Sequence, residues 1–236
     1  NDGAPINACV PGKDGVAAEI AKIMGMEPVA GSIRQVVQLH CNGTHANAKK
    51  AYEYIGVTDC HSAVTQFGGP SYCSYACIGL GSCERACPFG AIHMDKEGLP
   101  VVDTATCTGC GLCSIQCPQK ILELVPVNKQ VHVRCNNRDK GKVAKDACAV
   151  SCISCGICVK NCPEQAITLV TGKTGAGSVA VIDYSKCTNC GTCVEKCPRK
   201  SIHLDPPIDP DLIVSEVPQE AEGCASCSAK GVCGLR

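Results

Sequence analysis

The sequence contains no Trp, and its 236 residues include only 5 Tyr and 2 Phe. Large apolar side chains are therefore too scarce for a conventional core, and domains of this kind use disulfides or metals for additional stability. The chain also has no excess of either charge, with 22 basic and 22 acidic residues. A nucleic-acid-binding protein normally carries a basic excess, so we expect no nucleic-acid partner.

Other signals are also missing. The sequence has no run of 18 apolar residues, the length from which a membrane-spanning helix is expected. No Gly-x-Gly-x-x-Gly motif follows a predicted strand, so we expect no nicotinamide site. No nucleophile and base can be paired, and the 6 His are scattered without metal-ligand spacing. We therefore predict no catalytic residue.

Cysteine, by contrast, is abundant, with 24 residues in the chain. This level is typical of either a disulfide scaffold or a metal-binding protein. Disulfides suit secreted proteins with irregularly spaced cysteines. Here most cysteines lie in tight Cys-x-x-Cys-x-x-Cys runs, whose sulfurs can converge on one shared centre. We therefore favour metal binding in a reducing compartment.

The main organisational feature is an internal repeat of about 60 residues. Each copy has a Cys-rich loop that ends in Cys-Pro, two strands joined by a Gly-containing turn, a second such loop and a last strand. The strand pairs predict hairpins. The copies are residues 71–133 and 148–204, and their paired strands are residues 91–94 with 99–102 and residues 166–170 with 179–182.

The remaining segments are shorter. A helix is predicted in residues 1–30, capped by Asp14, ended by Gly25 and carrying an apolar stripe. A strand is predicted at residues 33–40 and a short helix at residues 46–55. The stripe consists of Val16, Ile20, Ile23 and Met24. The predicted segments are an N-terminal piece (1–30), a linking α/β segment (31–70), the first repeat (71–133), a basic linker (134–147), the second repeat (148–204) and a Pro-rich acidic linker with a Cys-containing tail (205–236).

The spacing of the cysteines predicts [4Fe–4S] clusters. In the bacterial ferredoxin pattern, three closely spaced cysteines bind one cluster and the cysteine before Pro binds the other cluster of the pair. Three runs match this spacing, and a fourth, Cys73-x3-Cys77-x5-Cys83-x3-Cys87-Pro88, is a stretched version. The crossed ligand sets are Cys73, Cys77, Cys83 and Cys117; Cys87, Cys107, Cys110 and Cys113; Cys152, Cys155, Cys158 and Cys197; and Cys162, Cys187, Cys190 and Cys193.

Three glycines inside these runs, Gly111, Gly156 and Gly191, fit positions where the backbone approaches a cluster closely or makes a tight turn. Both roles are compatible with each other.

Eight cysteines remain outside the four sets. Four of them precede the two repeats in equivalent places, where they could bind one more cluster or pack as buried free thiols. The three tail cysteines resemble cluster ligands that lack a fourth. At least four clusters are therefore predicted, and the leftover thiols leave room for a fifth or sixth. The eight are Cys9, Cys41, Cys60, Cys135, Cys148, Cys224, Cys227 and Cys233.

Basic residues are concentrated in residues 129–145. The segment is either a solvated loop between the repeats or a docking patch for an acidic ferredoxin, since complementary charges accelerate encounter. The basic residues are Lys129, Arg134, Arg138, Lys140, Lys142 and Lys145.

Several stretches resemble one known family, the B subunit of the Rnf complex. The resemblance extends over nearly the whole chain, and the second repeat and Cys tail resemble the longer versions found in anaerobes. The matching stretches are residues 3–12 (GAPINACVPG), 16–25 (VAAEIAKIMG), 41–44 (CNGT), 52–54 (YEY), 59–60 (DC), 77–83 (CIGLGSC) and 87–92 (CPFGAI).

This resemblance implies a subunit of a membrane-bound ferredoxin:NAD⁺ oxidoreductase that translocates ions. The subunit would accept electrons from reduced ferredoxin at the cytoplasmic face of the membrane and relay them towards other Rnf subunits, one of which handles NAD. Family members begin with a membrane helix and three cysteines that share a cluster with the equivalent of Cys9. These are absent here, so Cys9 is an implied ligand of an incomplete site and residues 1–30 are the remnant of an N-terminal Fe–S domain. His45 stands where relatives are expected to have Cys.

The predicted fold is therefore α+β, with two tandem bacterial 2[4Fe–4S] ferredoxin-like modules after a truncated N-terminal Fe–S domain. Its predicted role is serial electron transfer. One alternative is a polyferredoxin subunit of a soluble low-potential oxidoreductase. Another is a non-redox binding protein in which the clusters are structural.

Overall fold

The computed structural model describes residues 13–26, 33–172 and 177–207. These residues fall into two units, one containing the first helix and the other containing residues 33–207. In these ranges no helix has the length and apolar character needed to cross a membrane.

Short elements dominate the described residues. The helices are α1 (Lys13–Met24), α2 (Cys60–Thr65), α3 (Ser82–Arg85), α4 (Leu112–Ile115), α5 (Gly141–Ala147), α6 (Ile157–Lys160) and α7 (Thr192–Lys196). The strands are β1 (Gln35–Leu39), β2 (Ile92–Met94), β3 (Pro100–Val102), β4 (Leu122–Pro126), β5 (Val131–Val133), β6 (Ile167–Thr171), β7 (Ser178–Ile182) and β8 (Ile202–Leu204). The chain is thus mixed helix and strand.

Two of the strand pairs are local antiparallel hairpins. Strand β2 pairs with β3, and β6 pairs with β7 in a register that places Ile167 opposite Ile182. Both hairpins predicted from the sequence are confirmed. Their apolar strands and polar, Gly-containing connections provide a purely local signal.

The other two pairs join strands that are far apart in sequence. Strand β1 pairs with β4, and β5 pairs with β8. The predicted boundaries therefore need correction, because they place β1 in the linking segment and β5 at the end of the first repeat. Each terminal strand satisfies its backbone groups on the last strand of its own repeat. We call residues 33–127 the first module and residues 128–207 the second module.

The segment at residues 46–55 is not the predicted helix. It consists of turns and isolated bridges, in which Ala48 pairs with Cys148 and Lys50 pairs with Ser71. The Lys49 N–H donates to the carbonyl of Ala147 at 3.0 Å, in the other module. Remote partners thus replace the local hydrogen bonds that a helix would require.

The predicted basic linker, residues 134–147, also needs correction, because it contains α5. Its first arginine, Arg134, lies 2.5 Å from the carboxylate of Asp205. The segment is therefore built into the second module.

Helix α1 begins at Lys13, so Asp14 lies within the helix and not at the predicted capping position. Gly25 follows the helix with a φ of +64°, as expected for a glycine that ends a helix. The prediction of an apolar stripe is wrong, because the buried residues are Ala17 and Ala21, whereas Ile23 is 82% exposed.

The cores of the modules consist of aliphatic side chains and cysteines. Their largest fully buried apolar residues are valines and isoleucines, among them Ile121 and Val127 in the first module and Val179 in the second. Phe67 is 97% exposed and Phe89 is 39% exposed. The interior therefore contains neither Phe, and many of its positions are occupied by the thiols described below.

Candidate metal centres

Each of the four cysteine runs leads into one short helix. Helices α3, α4, α6 and α7 are each preceded by a glycine in the left-handed conformation. A non-glycine residue is strained there because its Cβ crowds the backbone. No atom lies within 4 Å of a Cβ built on Gly156 or Gly191, so these glycines are required by conformation and not by crowding. The four glycines are Gly81, Gly111, Gly156 and Gly191.

Two further left-handed positions recur in every run. One lies two residues before the glycine that precedes the helix, at Gly79, Gly109, Ser154 and Asn189. The other lies three residues after the last cysteine, at Gly90, Lys120, Gln165 and Lys200. The same backbone path is thus used four times, including in the run whose cysteine spacing is stretched.

This backbone repeat reveals why the first run looks stretched. When Gly79 and Gly81 are aligned with Gly109 and Gly111, the middle cysteine of the second run, Cys110, corresponds to Leu80. The first run is therefore Cys77-x2-Leu80-x2-Cys83-x3-Cys87, with the usual spacing but without its middle cysteine. This signal was readable in the sequence and was missed.

A cysteine from outside the run occupies the incomplete site. Cys60, Cys77, Cys83 and Cys117 line one cavity of about 350 Å³. The sequence-based grouping of Cys73 with the last three is therefore corrected, because Cys73 lines a different cavity. Cys60 reaches the site from the first residue of α2.

The second cavity, of about 340 Å³, is lined by Cys73 together with Cys41, Cys135 and Cys148. Each module contributes two of these cysteines from equivalent places. Cys41 and Cys135 follow β1 and β5 by two residues, and Cys73 and Cys148 precede the first cysteine of a run by four. Three of the four leftover cysteines that precede the repeats are thus brought together here, whereas the fourth, Cys60, belongs to the first cavity.

The other three groups contain the same cysteines that the sequence analysis grouped. Cys152, Cys155, Cys158 and Cys197 line a cavity of about 340 Å³. The remaining two groups are recognised from the electrostatic neighbours of one buried member. Cys107, Cys110 and Cys87 act on Cys113, and Cys187, Cys190 and Cys162 act on Cys193.

Burial makes these thiols hard to ionise. It raises the pKa of Cys73 to about 11, and burial together with the nearby Cys60 raises the pKa of Cys83 to about 12. The pKa of Cys135 is raised to about 12, mainly by burial. A cationic metal favours the thiolate and reverses this balance, so metal binding at these sites is coupled to proton release.

The donor sets fit iron–sulfur clusters better than single ions. All twenty cysteines of the described residues are free, and they divide into five groups of four. In the described ranges no three His, Cys, Asp or Glu side chains converge tightly enough for one ion. A cubane binds each of its four thiolates through a different iron, so its ligands stand farther apart than those of Zn²⁺.

Hydrogen bonds to sulfur accompany several of the cysteines. The backbone N–H of Cys77 donates to Cys41 Sγ at 3.5 Å, and that of Cys152 donates to Cys135 Sγ at 3.3 Å. The side chain of Asn137, only 1% exposed, donates to Cys73 Sγ at 3.1 Å. Sequence analysis missed Asn137, because nothing in its local pattern indicates a contact 64 residues away.

Four predicted ligands, Cys9, Cys224, Cys227 and Cys233, lie outside the described residues. His45, at the position where relatives were expected to have Cys, packs its ring against Gly98 in the turn between β2 and β3.

The class of the chain follows from a family comparison. Residues 76–121 and 151–201 both match the model of the 4Fe-4S dicluster domain. Each match covers two of the repeated cysteine runs in one module. The chain therefore contains two dicluster domains of the ferredoxin type.

Individual relatives sharpen this classification. The chain is 45% identical over 149 residues to the B subunit of the Na(+)-translocating ferredoxin:NAD(+) oxidoreductase complex of Acetobacterium woodii, a match that covers 63% of this chain and 44% of the relative. It is 42% identical over 150 residues to the B subunit of the proton-translocating complex of Clostridium ljungdahlii, covering 64% and 52%. The B subunit of the ion-translocating oxidoreductase complex of Methanosarcina acetivorans is 41% identical over 148 residues, covering 63% and 56%.

These relatives confirm the resemblance to the B subunits of ion-translocating ferredoxin:NAD⁺ oxidoreductases. The matches span about half the length of the relatives.

Proposed function

We propose that the chain is an electron-transfer subunit that carries five [4Fe–4S] clusters in its described residues. The observation that carries this proposal is the division of twenty free cysteines into five groups of four, with none left over among the described residues. Two tandem ferredoxin-like modules hold two clusters each, and both modules contribute ligands to the fifth. The two dicluster domain matches support this arrangement.

The first ligand set is Cys60, Cys77, Cys83 and Cys117, and the fifth is Cys41, Cys73, Cys135 and Cys148. The other sets are Cys87, Cys107, Cys110 and Cys113; Cys152, Cys155, Cys158 and Cys197; and Cys162, Cys187, Cys190 and Cys193.

A bound [4Fe–4S] cluster takes up and releases single electrons at a potential that depends on its surroundings. The protein's contribution is to fix the ligands, exclude water and donate hydrogen bonds to sulfur. Buried valines and isoleucines surround the thiols of both modules. The fifth ligand set links the modules, so its cysteines provide a connection between the two cluster pairs.

The same role fits a larger assembly. By its similarity to the B subunits of these complexes, the chain acts in a membrane-bound, ion-translocating ferredoxin:NAD⁺ oxidoreductase. In this role it receives electrons from reduced ferredoxin at the cytoplasmic face and passes them to other subunits. Association with the membrane then occurs through the complex and through an N-terminal helix of the kind expected in this family.

A polyferredoxin subunit of a soluble low-potential oxidoreductase is the second candidate. One observation favours it: 85 residues of the chain are 31% identical to a component of the anaerobic dimethyl sulfoxide reductase of Haemophilus influenzae. That match covers 32% of the chain, about half of what the ferredoxin:NAD⁺ oxidoreductase relatives cover.

The test is iron and sulfide analysis of the anaerobically purified chain, combined with EPR during reduction by ferredoxin. We expect at least about twenty irons per chain, four for each of five clusters. Electrons from low-potential ferredoxin should appear in EPR signals of reduced [4Fe–4S] clusters. About sixteen irons would contradict the fifth cluster, and clusters that ferredoxin cannot reduce would contradict the electron-transfer role.

A further inference from the structure

The ligand that enters the first site from outside its run is held by a compact polar network. Ser82, the first residue of α3, is only 6% exposed. Its Oγ accepts the backbone N–H of Cys60 at 2.8 Å and donates to Asp59 Oδ1 at 3.0 Å. The hydroxyl thus joins the residue that carries the thiol directly to the helix that carries Cys83.

The same network fixes the start of α2. Asp59 caps this helix, because its Oδ2 accepts the N–H of Ser62 at 2.8 Å. Arg85 donates to the carbonyls of Thr58 at 2.5 Å and Leu80 at 2.9 Å, and also to Ser82 Oγ at 3.2 Å. The hydroxyl of Ser82 therefore uses its one donor and both acceptor sites within this network.

The other three runs have no need for such a network. At the position of Ser82 they carry Leu112, Ile157 and Thr192, and each contains its own middle cysteine. Serine at this position therefore occurs in the one run whose middle cysteine is replaced by Leu80.

We propose that Ser82 is a positioning residue that holds Cys60 as the substitute fourth ligand of the first cluster, in place of a cysteine at Leu80. Removing the hydroxyl frees the loop that carries Cys60 while leaving Cys77, Cys83 and Cys117 in place. A cubane with three remaining thiolates loses the iron that has no protein ligand. This inference rests on the proposed cluster site and adds to it a device for ligand positioning.

The test compares Ser82→Ala with Cys60→Ala in the purified full chain. Both variants should lose about one iron per chain and gain, after mild oxidation, the EPR signal of a three-iron cluster. Adding Leu80→Cys should restore the iron and abolish that signal in both backgrounds, because position 80 then supplies the missing thiolate. A residue needed only for folding would not be rescued by a new thiol at position 80.

Ser114→Ala is the matched control, since Ser114 lies in the equivalent helix α4 and its buried Oγ has no hydrogen-bond partner in the described residues. It should retain full iron content. If Ser82→Ala disrupts folding, Asp59→Ala tests the same network from its solvent side and should give the three-iron signal.

The outcomes separate the two claims. Full iron content in Ser82→Ala, alongside iron loss in Cys60→Ala, would overturn the positioning role alone. Full iron content in Cys60→Ala would overturn the proposed first ligand set. Rescue of Cys60→Ala but not of Ser82→Ala by Leu80→Cys would mean that Ser82 acts on folding and not on Cys60.

Discussion

At the scale of single residues, the sequence indicates which side chains bind metal better than how they are shared. The spacing rule groups cysteines that lie close together in the chain. It therefore groups Cys73 with Cys77, although the structure brings Cys73 to Cys135 and Cys148 of the other module. The contact depends on how the two modules face each other, and local sequence carries no information about that.

Asn137 offers a test of how one side chain tunes one cluster. Its amide donates to Cys73 Sγ at 3.1 Å, while its Oδ1 accepts the N–H of Asp139 at 2.7 Å. A donor to sulfur stabilises the more negative, reduced state. We therefore expect Asn137→Leu to lower the reduction potential of the fifth cluster by tens of mV, since one hydrogen bond contributes about 1 kcal/mol and ~59 mV corresponds to tenfold in a one-electron couple. EPR-monitored potentiometric titration measures the shift.

The control for that experiment is Asn136→Leu. Asn136 lines the same cavity, but its Oδ1 accepts from Arg138 at 3.4 Å. Its replacement should leave the potential within a few mV of the wild-type value if the hydrogen bond is the cause. Equal shifts in both variants would instead assign the effect to the polarity of the cavity.

His132 provides a prediction of pH dependence. Burial lowers its pKa from 6.5 to about 4, and its ring nitrogens lie 2.9 Å from Tyr184 Oη and from the carbonyl of Lys129. The unfolded chain binds a proton below pH 6.5 that the folded chain refuses until about pH 4, so stability falls as the pH falls through this window. The full depression corresponds to up to about 3 kcal/mol, at about 1.4 kcal/mol per pKa unit.

Gln at this position can accept from Tyr184 and donate to Lys129 but does not titrate. His132→Gln should therefore remove this part of the loss in denaturant midpoint between about pH 7 and about pH 5. Urea unfolding of the holo-protein under anaerobic conditions measures it. Identical pH profiles of the two proteins would show that His132 contributes nothing to acid sensitivity.

At the scale of elements, the local hairpins were predictable and the remote strand pairs were not. Strands β2 and β3 are joined by a short turn, so one window of sequence contains both. Strand β1, in contrast, finds its partner β4 across most of the first module. A run of apolar residues predicts a strand, but it does not encode which distant edge the strand will pair with.

The basic helix α5 leads directly into Cys148, a proposed ligand of the fifth cluster. Lys142 and Lys145 on this helix and Lys140 just before it are exposed, whereas Lys129 and Arg134 are engaged by Cys187 and Asp205. The predicted docking patch is thus reduced to three lysines. Reversing the charge of Lys140 and Lys142 should slow reduction by ferredoxin several-fold at low salt and little at high salt.

Stopped-flow reduction at two ionic strengths measures this effect. Charge reversal of Lys96 and Lys120, both exposed in the first module, is the matched control because it changes the net charge equally. Equal slowing in both double variants would indicate a general effect of net charge and would remove α5 as the docking site.

At the scale of the whole molecule, the fifth ligand set is what turns two repeats into one body. Direct contacts between the modules include polar ones, such as the hydrogen bond of 2.8 Å that His40 Nδ1 donates to the carbonyl of Val133. A cluster shared by both modules adds a covalent metal link, and metal-binding energy at such a site is folding energy. The double variant Cys41→Ala/Cys135→Ala removes one of these ligands from each module.

We expect this variant to lose about four irons and to unfold in two transitions, one for each module, where the wild-type chain unfolds in one. Electrons delivered to one module should also reach the other more slowly. Cys190→Ala, which removes a ligand that only the second module uses, is the control and should lose iron while keeping a single transition. One cooperative transition in the double variant would mean that the polar contacts alone hold the modules together, and the shared cluster would then serve electron transfer without a structural role.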